Sequence, residues 1–176
     1  MSDVTATEAQ RYAFVDLEAS SLGSGSFPTE IGWATIQEGK IRSGASLITP
    51  AAKWLRSSTA WNPASQRLTG ITKEMLDRQG SPPREAMRRF LAAVRERLVL
   101  SDEPDFDAFW LGQLAEAADV DPIKLADAKS TIIEVARNGQ TFGDIAKEFP
   151  VRHRAEADAR RLALIYVRAA GIEVIG

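Results

Sequence analysis

Cysteine is absent from this 176-residue chain, and histidine occurs once, as His153. Without cysteine there are no disulfides and no thiolate metal sites, which fits a reducing compartment, so a cytoplasmic location is expected. A single imidazole also leaves too few nitrogen ligands for an ordinary zinc centre. No apolar run approaches the length of a membrane span. Residues 1–10 lack a signal-peptide core and read as a flexible terminus ahead of one domain, residues 11–176. An excess of one charge is missing too. The formal net charge of −2 argues against broad non-specific adhesion to nucleic acid, although it leaves room for a local basic patch. No internal repeat or low-complexity segment interrupts a composition typical of soluble globular proteins.

What the chain does have is an apolar strand, Tyr12 to Glu18, interrupted by two acids one residue apart. Side chains alternate along a strand, so Asp16 and Glu18 share one face while Val15 and Leu17 share the other. Such a pair is either ordinary decoration of an edge strand or a pair of carboxylates held for a cation. The next loop, Ala19 to Ser26, is built of small residues whose backbone can lie close to a ligand, or it is simply a flexible turn.

Glu30 to Gln37 and Lys40 to Ile48 are β-like runs on either side of Glu38-Gly39, so the first three strands are expected to form an antiparallel meander. Residues 50–72 read as irregular. They hold Trp54 and Trp61, which either stack on bases or cover the edge of the core. A short helix is expected over Thr72 to Arg78. A longer amphipathic one starts at Ser81, acting as a cap, and carries Met87, Phe90, Leu91, Val94 and Leu98 inward, with Arg84, Arg88, Arg95 and Arg97 as a solvated face. Leu98 to Ser101 is a brief buried strand, and Phe106 to Ala118 a helix. Asp121 to Asp127 suggests another strand, and a helix through Thr131 to Ala136 ends at Asn138-Gly139. Further helices are expected over Phe142 to Lys147 and from Arg154 to Ala170. The apolar tail, Ile172 to Ile175, is suited to an edge strand or to a partner. Strands first and helices alternating with strands afterwards imply an α/β sheet covered on its faces, with a site at its strand ends.

Two helical acids stand on apolar stripes. Asp158 precedes Leu162 and Ile165 by four and seven residues, and Asp107 precedes Trp110, Leu111 and Leu114 by three, four and seven. Asp107 also suits the first turn of its helix as a cap, a role for which Asp102 and Asp105 compete. Burial of Asp158 without a partner is harder to explain. His153, a surface or capping residue by default, stands five residues ahead of Asp158 and can border the same cleft. Four carboxylates beside one imidazole make an oxygen-rich site suited to Mg²⁺ or Mn²⁺.

These residues resemble the DEDD superfamily of 3′-to-5′ exonucleases, in the branch with a histidine in its third motif. FVDLEASSL matches the first motif, SDEPDFDAFWL resembles the second, and His153-x4-Asp158 matches the third. In the second, Phe109-Trp110-Leu111 favours Asp107 over Asp105. The resemblance implies a ribonuclease H-like mixed sheet and hydrolysis of terminal phosphodiesters in single-stranded DNA or RNA, releasing nucleoside 5′-monophosphates. It assigns two divalent cations, Mg²⁺ or Mn²⁺, to Asp16, Glu18, Asp107 and Asp158. His153 becomes the general base, and Ala19, Ser20 and Leu22 contact the terminal nucleotide. It also implies a single-stranded 3′ end as partner and a possible homodimer, and the short apolar runs lead us to expect no membrane partner. Two other readings fit the same fold: a non-catalytic module binding nucleic acid or protein, and a phosphodiesterase acting on short nucleotides.

Overall fold

Residues 6–136 and 139–174 are described by the computed structural model. Alternation along the first strand sorts the molecule into two cores. In β1, Tyr12–Ala19, the side chains of Ala13, Val15 and Leu17 enter one hydrophobic cluster, and Phe14 enters another on the opposite face. Burial on both faces is what a strand needs when helices cover both sides of its sheet. β2, Pro28–Gln37, and β3, Lys40–Leu47, continue antiparallel from β1, while β4, Leu98–Ser101, and β5, Leu125–Asp127, run parallel. The strand order is β3-β2-β1-β4-β5, the mixed sheet expected from the sequence.

Eight helices surround this sheet in the described residues: α1, Ala6–Ala9; α2, Pro63–Thr69; α3, Lys73–Gln79; α4, Pro83–Val94; α5, Pro104–Ala118; α6, Ala128–Val135; α7, Phe142–Ala146; and α8, Ala155–Ala170. One face is covered by α4 and α5 through Met87, Phe90, Trp110, Leu111 and Leu114. The other is covered by α6 and α8 through Ile132, Leu162, Ile165 and Tyr166. Among the described residues no helix is long and apolar enough to cross a membrane.

Several local expectations are corrected. Residues 50–72 are not all irregular, because Trp54–Arg56 forms a 3₁₀ turn and Pro63–Thr69 forms α2, with Asn62 capping its start and Gly70 ending it at φ 71°. Ser81 does not cap α4. Its backbone bridges to Ile48 and Leu47 instead, and Pro82 precedes the helix without a side-chain cap. The tail forms no strand over 172–174, where Ile172 and Val174 pack on the second core. Ile175 and the Asn138 of the expected helix end lie outside the described residues. The tryptophans take their core-covering alternative: Trp54 is 7% exposed and stacks on Phe27 at 5.8 Å.

One close approach fixes where α8 begins. Gly32 in β2 pairs with Asp16 in β1, and a Cβ placed on it would lie 2.0 Å from the Ala155 carbonyl carbon. The start of α8 therefore rests directly on the sheet. Gly32→Ala must push α8 outward and is expected to cost about 1–3 kcal/mol, measured by urea unfolding.

Candidate active site

Asp16 and Glu18 leave β1 on the face that also carries Phe14, the face covered by α8. That shared direction brings them to Asp158, whose ligand oxygen lies within 4.8 Å of one from each of them. Asp107 comes from the opposite layer, from the first turn of α5 beside the end of β4. It is 3% exposed, and Ser101, the last residue of β4, donates its hydroxyl to Asp107 Oδ2. A cleft of about 720 Å³ is lined by Asp16, Glu18, Asp107, Asp158 and His153 together. Asp105 is exposed and does not line it, so of these two acids only Asp107 borders the cleft.

Asp158 is buried, but it is not without partners. It belongs to the first turn of α8 and accepts backbone N–H bonds from Arg152 at 2.9 Å, His153 at 2.7 Å and Arg154 at 3.3 Å. His153 adopts φ 55° in this loop, a left-handed conformation uncommon for residues other than glycine. The bend wraps three consecutive amides around one carboxylate and turns the half-buried imidazole segment into the cleft wall. Of the two helical acids, Asp107 has the sequence position that suggests capping, yet Asp158 is the one held by helix-start amides.

The expected substrate residues separate. Ala19 and Leu22 line the cleft, whereas Ser20 is buried at 2% exposure and faces its own loop. The Ser20 hydroxyl accepts the Phe27 amide at 3.0 Å, its amide donates to the Phe27 carbonyl at 3.0 Å, and its carbonyl accepts the Asn62 amide at 2.8 Å. From α5, Trp110 Nε1 donates to Ser26 Oγ at 2.9 Å. These bonds close the small-residue loop into a fixed turn and leave Leu22 at its tip, 80% exposed. Sequence reasoning missed Leu68, Phe106 and Val151, which are also exposed and line the same cleft. Their signal was apolarity at solvent-facing positions, visible only once the helices are placed.

Crowded acids oppose ionisation. Burial, and then the charges of Asp107, Glu18, Asp158 and Asp102, push the Asp16 carboxyl well above the usual range. Burial first, with Asp158 and Glu30 adding, pushes Glu18 up to about 8, although the Arg154 guanidinium pulls it down. Burial pushes Asp107 to about 7 against the stabilising Ser101 hydroxyl. The carboxylate donors are all oxygen and mutually repulsive, which is the chemistry of a site for a hard divalent cation.

Groups whose pKa is raised by folding bind protons more tightly in the native than in the unfolded chain. Their contribution is therefore fully present below the unfolded carboxylate pKa and is lost as pH rises through about 7 for Asp107 and about 8 for Glu18. The melting temperature of metal-free protein should fall between about pH 5 and pH 9, and added Mn²⁺ should raise it most at the alkaline end. Asp16→Asn, which removes one charge from the cluster, should flatten the metal-free profile in the same thermal scans.

No family model and no curated protein matches this sequence. Solved structures do match. Exonuclease I of E. coli in complex with a dA16 oligonucleotide is similar at TM-score 0.67 and 16% identity, over 89% of this chain and 40% of that one. The zinc-bound form of the E. coli enzyme with single-stranded DNA gives 0.64 and 15%, over 92% and 39%. A moderately thermophilic exonuclease I from Methylocaldum szegediense gives 0.64 and 17%, over 89% and 40%. This chain thus spans about 40% of the length of the proteins it is similar to. What is shared at these identities is the fold, ribonuclease H-like α/β, as the motif resemblance implied.

Proposed function

We propose that the protein is a divalent-metal-dependent 3′-to-5′ exonuclease on single-stranded nucleic acid, in the histidine-type DEDD group that its motifs resemble. The observation that carries this is the convergence of Asp16, Glu18, Asp107, Asp158 and His153 on one cleft. Two divalent cations held by the four carboxylates would supply charge neutralisation at the phosphate and activation of the attacking water. Asp158 holds its oxygens toward Asp16 and Glu18 because three amides fix it. His153, the cleft's one imidazole, accepts the proton of the attacking water as general base. The bond broken is the terminal phosphodiester, and the product is a nucleoside 5′-monophosphate.

Single strands are favoured by the apolar rim. Leu22, Leu68, Phe106 and Val151 are exposed side chains that would be costly to leave wet and are well suited to unstacked bases. Phe106 stacks on Trp110 at 6.3 Å, which steadies it as a platform. Leu22 serves as the wedge against the terminal base and Ala19 lets its sugar approach, while Ser20 acts indirectly by closing the loop. The deoxyoligonucleotide named with the E. coli structure makes DNA the first substrate to try.

A 5′-labelled oligonucleotide with Mg²⁺ or Mn²⁺ should shorten stepwise from its 3′ end, and shortening from the 5′ end, or none, would sink the proposal. Asp16→Ala should abolish turnover while the circular dichroism spectrum is retained. His153→Asn keeps a residue that tolerates the left-handed backbone and should slow turnover by about 10²–10⁴-fold with little change in Mn²⁺ affinity. Absence of any divalent-ion binding would favour the non-catalytic module, and preference for a dinucleotide over longer oligomers would favour the short-nucleotide phosphodiesterase.

A further inference from the structure

The acids of β1 face a second pair of residues directly across the ladder. Gly32 pairs with Asp16, and Glu30 pairs with Glu18. Both β2 residues touch the start of α8. Glu30 is 3% exposed, and its carboxylate accepts three hydrogen bonds: Arg154 Nε at 3.0 Å, Arg154 Nη2 at 2.7 Å and the Ala155 amide at 2.9 Å. The Ala155 amide is a first-turn donor that has no partner within its own helix, so a strand residue 125 positions away caps α8. On its other side the same backbone is tied to Asp158 through the His153 and Arg154 amides. Neither Glu30 nor Arg154 lines the cleft.

We propose that Glu30 and Arg154 are positioning residues, a bidentate clamp that fixes the His153–Asp158 segment against the β1 carboxylates and thereby governs turnover without touching the substrate. The proposal rests on the exonuclease reading of the site. An ion pair with one buried and one half-exposed partner contributes modestly to stability, whereas its two parallel bonds specify geometry closely. Gly32 sets how near α8 comes to the sheet, and the forked pair sets where along β2 its start lies. A guanidinium held by two parallel bonds cannot pivot as an ammonium does. The segment it holds carries both the only imidazole and an acid of the cluster.

The test uses full-length Arg154→Gln, Arg154→Lys, Glu30→Gln and the Glu30→Gln/Arg154→Gln double variant. Steady-state cleavage of a single-stranded oligonucleotide with saturating Mn²⁺ is combined with amide exchange at His153 and the NMR signal of its imidazole. Arg154→Gln is expected to lower kcat about 10- to 100-fold, since small misplacement of reacting groups is costly. KM should stay within about twofold. Arg154→Lys, which keeps the charge but not the fork, should fall between wild type and Arg154→Gln. Two residues acting through one contact should give a double variant within about twofold of the slower single one. The His153 amide should exchange faster and its imidazole signal should shift.

Unchanged kcat in folded Arg154→Gln, a double variant whose losses multiply, or a loss that only tracks the unfolded fraction would each overturn the clamp. Glu30 is buried and its variant can fail to fold, but Arg154, with its side chain 44% exposed, keeps the test open. Wild type that leaves oligonucleotides intact defeats the exonuclease reading. The clamp is then decided by exchange and NMR alone: faster His153 exchange in Arg154→Gln supports it, and unchanged exchange overturns it.

Discussion

Mutual repulsion among Asp16, Glu18, Asp107 and Asp158 is the constraint around which this molecule is arranged. Three of the acids are each met by a different compensation, and Asp16 by none. Asp158 has three backbone amides, Asp107 a serine hydroxyl, and Glu18 the nearby Arg154 guanidinium, which is itself shared with Glu30. Asp16 has burial and four neighbouring negative groups against it. Partial compensation keeps the oxygens in place while leaving the cluster short of positive charge, which is the state a cation relieves. Complete pairing with arginine or lysine would have stabilised the apo fold more and left nothing for a metal to do.

The sheet makes this arrangement possible because its two faces have different duties. The face that receives Val15 and Leu17 is a plain hydrophobic core under α4 and α5. The face that receives Phe14 turns from core to site within one strand, as Asp16 and Glu18 come next at spacing two. Asp107 reaches around from the first layer only because α5 begins at the end of β4, next to β1. Such a junction, where an antiparallel neighbour lies on one side of a strand and a parallel one on the other, opens a crevice at the strand end.

Much of this was legible in the chain itself. Period-two alternation showed the shared face of Asp16 and Glu18, and helical spacing put Asp107 and Asp158 among buried side chains, where both lie. What escaped detection depended on backbone conformation or on distant partners. The three amides around Asp158 exist only because His153 enters the left-handed region, which no composition rule assigns to histidine. Helix α2 has an asparagine cap, a proline in its first turn and a left-handed glycine at its end, but only Thr69 among its residues is buried. With no apolar stripe, periodicity had nothing to detect. The family resemblance placed Ser20 at the terminal nucleotide, and no local pattern announced that its hydroxyl accepts the Phe27 amide and closes the loop.

The bond between Glu30 and Arg154 joins residues 124 positions apart, and the docking of α8 on β1, β2 and β3 is equally non-local. Contacts of that span form late, after a large loop has been closed, so folding is expected to be slow relative to helical proteins of this size. Until α8 settles, the chain has Asp16, Glu18 and Asp107 but neither His153 nor Asp158 in place. During synthesis the β1 acids emerge more than a hundred residues before Asp158, and the acidic cluster stays incomplete until the fold around it is finished.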